Sequence, residues 1–208
     1  MRLNKPLNKV LNSESKIKVL RLLCSGGGES TGRQIAKLLK VGPSPVQIAL
    51  ADLYNEGIVE RKSFGKAYAY SLNTKNWLVK SSLKLMFRAE AEYQVKLWAK
   101  IRQHVERSGL GKKIISVSLF GSVLSAQERP TSDIDLLVIF KDGVEKQAVE
   151  DLFIDMNRGI IEETGLSLDA HLYPVSELRK KFAEGLAFVK DAVRSSKVII
   201  GKSLGECL

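Results

Sequence analysis

A glycine-serine pair and an acidic pair bracket the start of an apolar segment, and this arrangement most constrains the fold. Gly121-Ser122 ends the strand-like stretch 114–120. A predicted loop of ten residues, 123–132, follows, and Asp133-Ile134-Asp135 then opens the apolar run 136–140. Residues two apart on a strand share a face, so the two carboxylates would lie roughly 6 to 7 Å apart at their roots. Two such carboxylates beside a buried strand are costly unless a cation neutralises them. The pattern predicts a glycine turn next to a divalent-cation site.

A third carboxylate supports this interpretation. The alternating segment 166–173 predicts another strand, with Asp169 at its centre. A strand that runs into Gly121 lets backbone N–H groups approach an anion, and Mg²⁺ prefers acidic oxygens together with substrate phosphates. The alternative is that Asp133 ends a turn, Asp135 faces water and Gly121-Ser122 is an ordinary loop.

These motifs, in this order and spacing, resemble the DNA polymerase beta-type nucleotidyltransferase superfamily, close to its minimal, antitoxin-like members, over about residues 101–201. The resemblance implies a mixed sheet flanked by helices and a nucleoside triphosphate bound by Gly121, Ser122, Asp133 and Asp135. It also implies that Asp133, Asp135 and Asp169 are catalytic and bind Mg²⁺, as one or two ions. Asp169 would help to deprotonate the attacking hydroxyl.

The chemistry is consistent with those roles, since nucleotidyl transfer needs cations and positioning more than covalent participation. One departure concerns the residues after the Gly-Ser pair. Many minimal members have a basic, small, basic, glycine run there, whereas this chain has Val123, Leu124, Ser125 and Ala126. Each missing charged contact is worth about 1.5 to 3 kcal/mol, so we expect slow activity or an unusual acceptor.

Positive charge is concentrated outside that region. The net charge is +10, and residues 1–75 hold thirteen Lys or Arg against five acids. Residues 76–112 hold eight against three, and residues 113–208 hold twelve against fifteen. This distribution predicts a separate polyanion-binding unit in the N-terminal part.

Three helices and a hairpin are predicted in residues 10–75. Helical periodicity covers Glu14 to Cys24, a capping box at Thr31 and Gln34 opens a second helix, and Ser44 with Pro45 opens a third that reaches about Glu56. Alternating segments at 58–62 and 67–72 then predict a β-hairpin. The pattern resembles a winged helix-turn-helix.

The winged-helix resemblance implies binding to double-stranded DNA, with the third helix in the major groove. The residues predicted to meet base edges are Ser44, Gln47, Ile48 and Ala51. Those predicted to meet phosphates are Arg33, Lys37, Lys40, Arg61, Lys62 and Lys66. Winged helices also serve as protein-binding modules, and the third helix carries Asp52 and Glu56 but no Lys or Arg.

The segment 76–108 predicts one or two helices. Its apolar residues at helical intervals are Leu83, Met86, Tyr93, Leu97, Ile101 and Val105. It is either a linker that packs on the catalytic domain or the seam of a homodimer. We therefore divide the chain into a winged helix (1–75), a helical linker (76–112) and a nucleotidyltransferase domain (113–208), which together make an α+β fold.

The leading hypothesis is a DNA-binding, Mg²⁺-dependent nucleotidyltransferase that moves AMP from ATP to a protein or small-molecule hydroxyl. Resemblance to antitoxin-like members implies a partner protein of the HEPN toxin type. The alternatives are a transcriptional regulator whose nucleotidyltransferase fold only binds nucleotide, and a plain winged-helix repressor with a degenerate C-terminal domain. Residues 1–16 contain no apolar core and no stretch is long enough to span a bilayer, so we expect a cytoplasmic protein without membrane contact.

Overall fold

A computed structural model describes residues 3–26, 28–65, 67–125, 127, 129 and 132–208. The chain divides into two units, Met1–Gln94 and Val95–Leu208. The domain boundaries that we predicted at 75/76 and 112/113 stay predictions. Within the described ranges, no helix has both the length and the apolar character needed to cross a membrane.

The N-terminal unit combines helices with a small antiparallel sheet. Its elements in chain order are α1 (Leu7–Val10), α2 (Glu14–Cys24), β1 (Ser30–Thr31), α3 (Gly32–Leu39), α4 (Pro43–Asn55), β2 (Val59–Phe64) and β3 (Ala67–Leu72). The strand order is β1-β3-β2. The three predicted helices and the hairpin are therefore present, and the core lies between α2, α3, α4 and the sheet.

Local capping explains where two of these helices begin. In α3 the Thr31 backbone N–H donates to Gln34 Oε1 at 2.7 Å and the Gln34 N–H donates to Thr31 Oγ1 at 3.3 Å, which confirms the predicted capping box. The predicted start of α4 is wrong by two residues, because the helix begins at Pro43 with Gly42 as its N-cap rather than at Pro45 with Ser44. Both prolines fit in the first turn, where no intrahelical N–H bond is needed.

A π-helical turn, Val79–Leu83, leads into the long helix α5 (Lys84–Arg107). Leu83 and Phe87 are buried in the core of the N-terminal unit. Further along, Leu97, Ile101 and Val105 are buried in the core of the C-terminal unit. Two residues of the predicted apolar series, Met86 and Tyr93, are exposed instead.

The C-terminal unit is a four-stranded mixed sheet with helices on both faces. After α5 its elements are β4 (Ile114–Leu119), α6 (Gly121–Leu124), β5 (Ile134–Phe140), α7 (Lys146–Thr164), β6 (Leu168–Pro174), α8 (Val175–Ala183), α9 (Ala187–Ser195), β7 (Lys197–Gly201) and α10 (Leu204–Cys207). The strand order is β6-β5-β4-β7, with β5 and β6 parallel and the other pairs antiparallel.

Strand β5 is buried on both faces, as its unbroken apolar run requires. Ile134, Leu136, Val138 and Phe140 pack with α5 and α7 in one core cluster. Leu137 and Ile139 pack on the other face with residues of α8, α9 and α10. Because side chains alternate along a strand, Asp135 belongs to this second face.

Three details of the predicted strand and loop positions need correction. Residues Val123 and Leu124, which we expected in a loop, belong to the short helix α6. Strand β5 begins at Ile134, one residue after the first acid, and Asp169 is the second residue of β6 rather than its centre. The shifts arise because strand ends depend on pairing with neighbours, which local sequence does not specify.

Candidate functional site

Asp135 and Asp169 lie directly opposite each other on neighbouring strands. They are paired residues in the parallel register of β5 and β6, so their side chains leave the sheet on the same face. Strands in a sheet are roughly 4.8 Å apart, which puts the two carboxylates within reach of one ion. The tertiary structure thus brings together residues that are 34 positions apart in the chain. The same separation holds for Ser167 and Asp133, whose side chains form a hydrogen bond.

Gly121 is packed against the Asp135 carboxylate. A β-carbon added at residue 121 would lie 1.9 Å from Asp135 Oδ2, and the backbone φ of +77° is one that side chains rarely adopt. The turn at 121 also holds β4 against β5, since the Phe120 N–H donates to the Asp135 carbonyl oxygen at 3.1 Å. Only glycine fits this position without displacing the carboxylate or straining the backbone.

The pKa of Asp135 is raised above its usual value. Partial burial is the largest cause, and the negative charge of Asp169 adds to it, with a smaller effect from Asp133. His171 and a hydrogen bond from the Ser122 backbone N–H act in the opposite direction. Burial and the neighbouring carboxylates thus both disfavour the charged form of Asp135, and a bound cation would favour it.

Each of the three carboxylates has its own partner in the chain. Asp135 accepts the Ser122 backbone N–H, Asp133 accepts the Ser167 hydroxyl, and Asp169 Oδ2 lies 3.4 Å from His171 Nε2. Among residues that the structure describes, no three His, Cys, Asp or Glu side chains already stand close enough to enclose a metal ion.

The donor set nevertheless fits Mg²⁺. Asp133 and Asp169 are exposed, so their side chains can turn without loss of packing, and Asp135 is only half-buried. Asp135 and Asp169 project from the same face of the sheet, and Asp133, just before β5, is close enough for its charge to act on Asp135. All three are hard oxygen donors of the kind that Mg²⁺ takes in one or two copies together with phosphate oxygens. Asp133, Asp135 and Asp169 would hold such an ion.

An aromatic cluster adjoins the carboxylates. The rings of Phe120, His171 and Phe188 lie 5.0 to 5.6 Å apart, centroid to centroid. This cluster fixes the His171 ring beside Asp169 and covers one side of the site with apolar surface. The contribution of Phe188, on α9, was not anticipated, because nothing in its local sequence links that helix to the Gly121 turn.

The structure accounts for the apolar residues that replace a basic run after Ser122. Val123 and Leu124 pack against the core of the C-terminal unit and anchor α6. The Ser125 hydroxyl donates to the Ser122 carbonyl oxygen at 3.1 Å. Ala126 lies outside the described residues. The side chains of Val123 and Leu124 therefore serve packing rather than recognition of a phosphate.

In the N-terminal unit, the residues predicted to meet DNA lie on the surface. The exposed members on α4 are Ser44, Gln47, Ile48 and Ala51, and those on or next to α3 are Arg33, Lys37 and Lys40. Asp52, whose charge on α4 opposed DNA binding, forms an ion pair at 2.7 Å with the buried Lys16. Its negative charge is thus partly neutralised within the protein.

The hairpin residues differ in how free they are to bind phosphate. The Arg61 guanidinium is stacked between Tyr54 and Tyr68, with its carbon 4.3 and 4.4 Å from the ring centroids. Lys62 forms an ion pair with Glu29, so its charge is already engaged. Lys66 lies outside the described residues. The structure therefore leaves the basic residues of α3 as the more available cations.

Comparisons with known proteins give different matches for different parts of the chain. The nucleotidyltransferase domain family matches residues 99–200. No curated protein gives a match. Two similar solved structures are a homodimeric winged helix-turn-helix DNA-binding domain, Mb0332 of Mycobacterium bovis (21% identity, 43% of this chain and 79% of that chain, TM-score 0.35), and HlyU of Vibrio cholerae N16961 (23%, 42% and 96%, TM-score 0.36).

A third similar structure is a toxin-antitoxin with AMP-PNP (18% identity, 52% of this chain and 77% of that chain, TM-score 0.35). TM-scores this low give no basis for assigning a ligand or partner to this chain. The order of elements in the N-terminal unit, three helices followed by a β-hairpin, is that of a winged helix. Residues 99–200, within the C-terminal unit, match the nucleotidyltransferase domain family.

Proposed function

We propose that this protein is a Mg²⁺-dependent nucleotidyltransferase that transfers AMP from ATP to a hydroxyl group of a protein or small molecule. The observation that carries the proposal is the pairing of Asp135 with Asp169 across β5 and β6, beside the Gly121 turn. The family match to residues 99–200 supports the reaction class. The burial of Asp135 and the nearby charge of Asp169, which together raise the pKa of Asp135, support the cation.

In the proposed reaction the acceptor hydroxyl oxygen forms a bond to the α-phosphorus of ATP. The bond from that phosphorus to its bridging oxygen breaks, and pyrophosphate leaves with the electron pair. Asp169 accepts the hydroxyl proton, with His171 Nε2 3.4 Å from its Oδ2 to hold the carboxylate in place. Bound Mg²⁺ would supply charge neutralisation for the triphosphate.

The glycine turn would bind the phosphates of the nucleotide. Gly121 allows the backbone to approach a phosphate, and the Ser122 N–H is the donor that we assign to a phosphate oxygen. In this structure that N–H donates to Asp135. A phosphate that accepts this N–H would displace Asp135 from it, and the freed carboxylate could then bind the cation. We therefore expect cation and nucleotide to bind together.

Transfer of label from [α-³²P]ATP tests the proposal. The full chain is incubated with Mg²⁺ and acceptors that include the chain itself and a HEPN-type partner protein, and Mg-ATP binding is measured in parallel by calorimetry. Asp135→Asn and Asp169→Asn are expected to abolish labelling and to weaken Mg-ATP binding at least tenfold. The matched control is Asp151→Asn, an exposed carboxylate on α7. Unchanged Mg-ATP affinity in both site variants would refute the proposal.

A second candidate function is a regulator that binds nucleotide without transferring it. Val123 and Ser125 favour this candidate, because they stand at the two positions where many minimal members have basic residues and neither brings a positive charge to the triphosphate. Val123 instead packs against the core, and the Ser125 hydroxyl donates to the Ser122 carbonyl oxygen. It predicts Mg-ATP binding, DNA affinity that depends on nucleotide, and no labelled product with any acceptor.

The N-terminal unit, in our proposal, binds double-stranded DNA. Its surplus of Lys and Arg over acids, the exposed residues of α4 and the internal pairing of Asp52 with Lys16 support this role. Arg33, Lys37 and Lys40 would contact phosphates, while Ser44, Gln47, Ile48 and Ala51 would face bases. A homodimer is compatible with binding of this kind.

A further inference from the structure

The outer edge of β6 presents unpaired backbone groups. β6 is the end strand of the sheet, and the Ile134 N–H donates to the Ser167 carbonyl oxygen at 2.8 Å. In a parallel ladder this bond directs the backbone groups of alternate residues toward β5. The residues whose N–H and C=O groups point outward are therefore Leu168, Ala170 and Leu172.

Among the described residues, only the Leu168 N–H of these outward-facing backbone groups has a hydrogen-bond partner on a helix. The Leu168 N–H donates to Asn157 Oδ1 on α7 at 2.8 Å. Within the described part of the chain, the outward backbone groups of Ala170 and Leu172 have no hydrogen-bond partner. An edge with free donors and acceptors is a template for another extended chain.

A cleft follows the same edge. It has a volume of about 420 Å³, and its walls include Leu168, Ala170 and Leu172 from β6 and Ile154 from α7. The Ile154 side chain is 59% exposed although it is large and apolar. The α7 wall also includes Lys146, Glu150 and Asn157. The cleft thus offers backbone groups on one side and both apolar and polar side chains on the other, a combination that suits an extended peptide.

The cleft is continuous with the candidate site. His171 lines the cleft and also lies beside the Asp169 carboxylate. A strand added to β6 would place every second side chain on the face that carries Asp169 and His171, and the intervening side chains on the face of Ile154. Side chains opposite each other on neighbouring strands are about 5 Å apart at their β-carbons, within reach of Asp169.

We infer that the edge of β6 binds an extended segment of the acceptor protein as an added strand and thereby delivers a Ser, Thr or Tyr hydroxyl to Asp169. This inference rests on the proposed function and names its acceptor class as a polypeptide in extended conformation. The acceptor sequence should alternate, with the hydroxyl residue on the Asp169 face and apolar residues on the Ile154 face.

Peptide binding tests the inference without nucleotide. The probes are fluorescein-labelled nine-residue peptides with Val or Ile at alternate positions and one central Ser, Thr or Tyr; control peptides have proline in place of alternate residues and cannot pair as strands. Anisotropy with the full chain should show binding of the alternating peptides only. Amide exchange of Ala170 and Leu172, followed by NMR, should slow on binding.

Variants of α7 and β6 make the test specific. Ile154→Lys should weaken peptide binding at least tenfold, and Ile161→Lys, an exposed position on the same helix outside the cleft, should leave it unchanged. Ala170→Pro removes one outward N–H without breaking a ladder bond and should have the effect of Ile154→Lys. Thermal unfolding of each variant verifies the fold.

The outcomes separate this inference from the proposed function. Peptide binding that is lost in Ile154→Lys, but without labelling by [α-³²P]ATP, would support the docking edge and contradict the transferase. Labelling of acceptors that is equal in wild type, Ile154→Lys and Ala170→Pro would support the transferase and overturn the docking edge. Absence of binding by every alternating peptide would also overturn it.

Discussion

The Asp135 carboxylate occupies the space that a β-carbon at residue 121 would need. The two would be 1.9 Å apart, so the glycine and the acid can coexist only because residue 121 has no side chain. This contact links the turn after β4 to the acidic start of β5. It also makes the glycine and the acid a single structural unit whose parts can be tested separately.

Gly121→Ala is expected to destabilise the fold and to abolish nucleotide binding, because the new methyl group displaces Asp135. A suitable control is Gly143→Ala, where φ is +80° but no atom lies within 4 Å of the added β-carbon. Both variants share the backbone strain, of order 1–3 kcal/mol, and only the first adds the steric clash. Thermal unfolding and Mg-ATP calorimetry measure the two effects, and equal results for both variants would contradict the assigned role of Gly121.

Asp135→Asn is expected to stabilise the cation-free protein at pH 7. The folded-state pKa of Asp135 is raised, chiefly by burial and by Asp169, so its contribution favours folding at low pH and is lost as the pH rises through that pKa. The variant lacks the unfavourable charge, and its advantage should shrink as the pH falls through the raised pKa and be lost below about 4, the pKa of an unfolded aspartate. Unfolding curves in EDTA at several pH values check this.

Added Mg²⁺ should reverse the order of stability in the same pair. Wild type binds the ion and gains stability by mass action, whereas Asp135→Asn has lost one ligand. Melting temperatures at pH 7, with and without millimolar Mg²⁺, provide the measurement. A wild-type melting temperature that is indifferent to Mg²⁺ would argue against the metal site.

Lys16→Met is expected to lower the free energy of unfolding by about 1–3 kcal/mol, because it removes several polar contacts from the N-terminal unit. The buried Lys16 ammonium lies 2.7 Å from Asp52 and donates to the Lys9 carbonyl oxygen and to Asn12 Oδ1 at 2.9 and 3.0 Å. The control Lys18→Met removes only a pair with Glu14 on the helix surface and should cost under about 0.5 kcal/mol. Urea unfolding distinguishes the two, and equal losses would show that burial of Lys16 is unimportant.

Lys37→Ala is expected to weaken DNA binding and to reduce the dependence of affinity on salt. If Lys37 contacts one phosphate, the slope of log K against log salt should fall by about 1. Anisotropy with a labelled duplex over a range of salt concentrations measures the slope. Lys180→Ala, which removes an equal charge from α8 of the C-terminal unit, serves as the control. Identical slopes for wild type and Lys37→Ala would exclude that contact.

Several features of the site could be predicted from local sequence. Gly121-Ser122 after an apolar strand and Asp133-x-Asp135 at the start of another predict a turn and a pair of carboxylates on one face, since alternation along a strand needs no tertiary information. The capping box at Thr31 and Gln34 is likewise a local arrangement, and it is confirmed.

Only the tertiary structure decided which distant groups meet. The register of β5 with β6 pairs Asp135 with Asp169, and the packing of α9 brings Phe188 to His171. Pairing register and helix packing depend on contacts between segments far apart in the chain, which local patterns do not encode. For the same reason the burial of Val123 and Leu124, the pairing of Asp52 with Lys16 and the free edge of β6 became visible only in the folded chain.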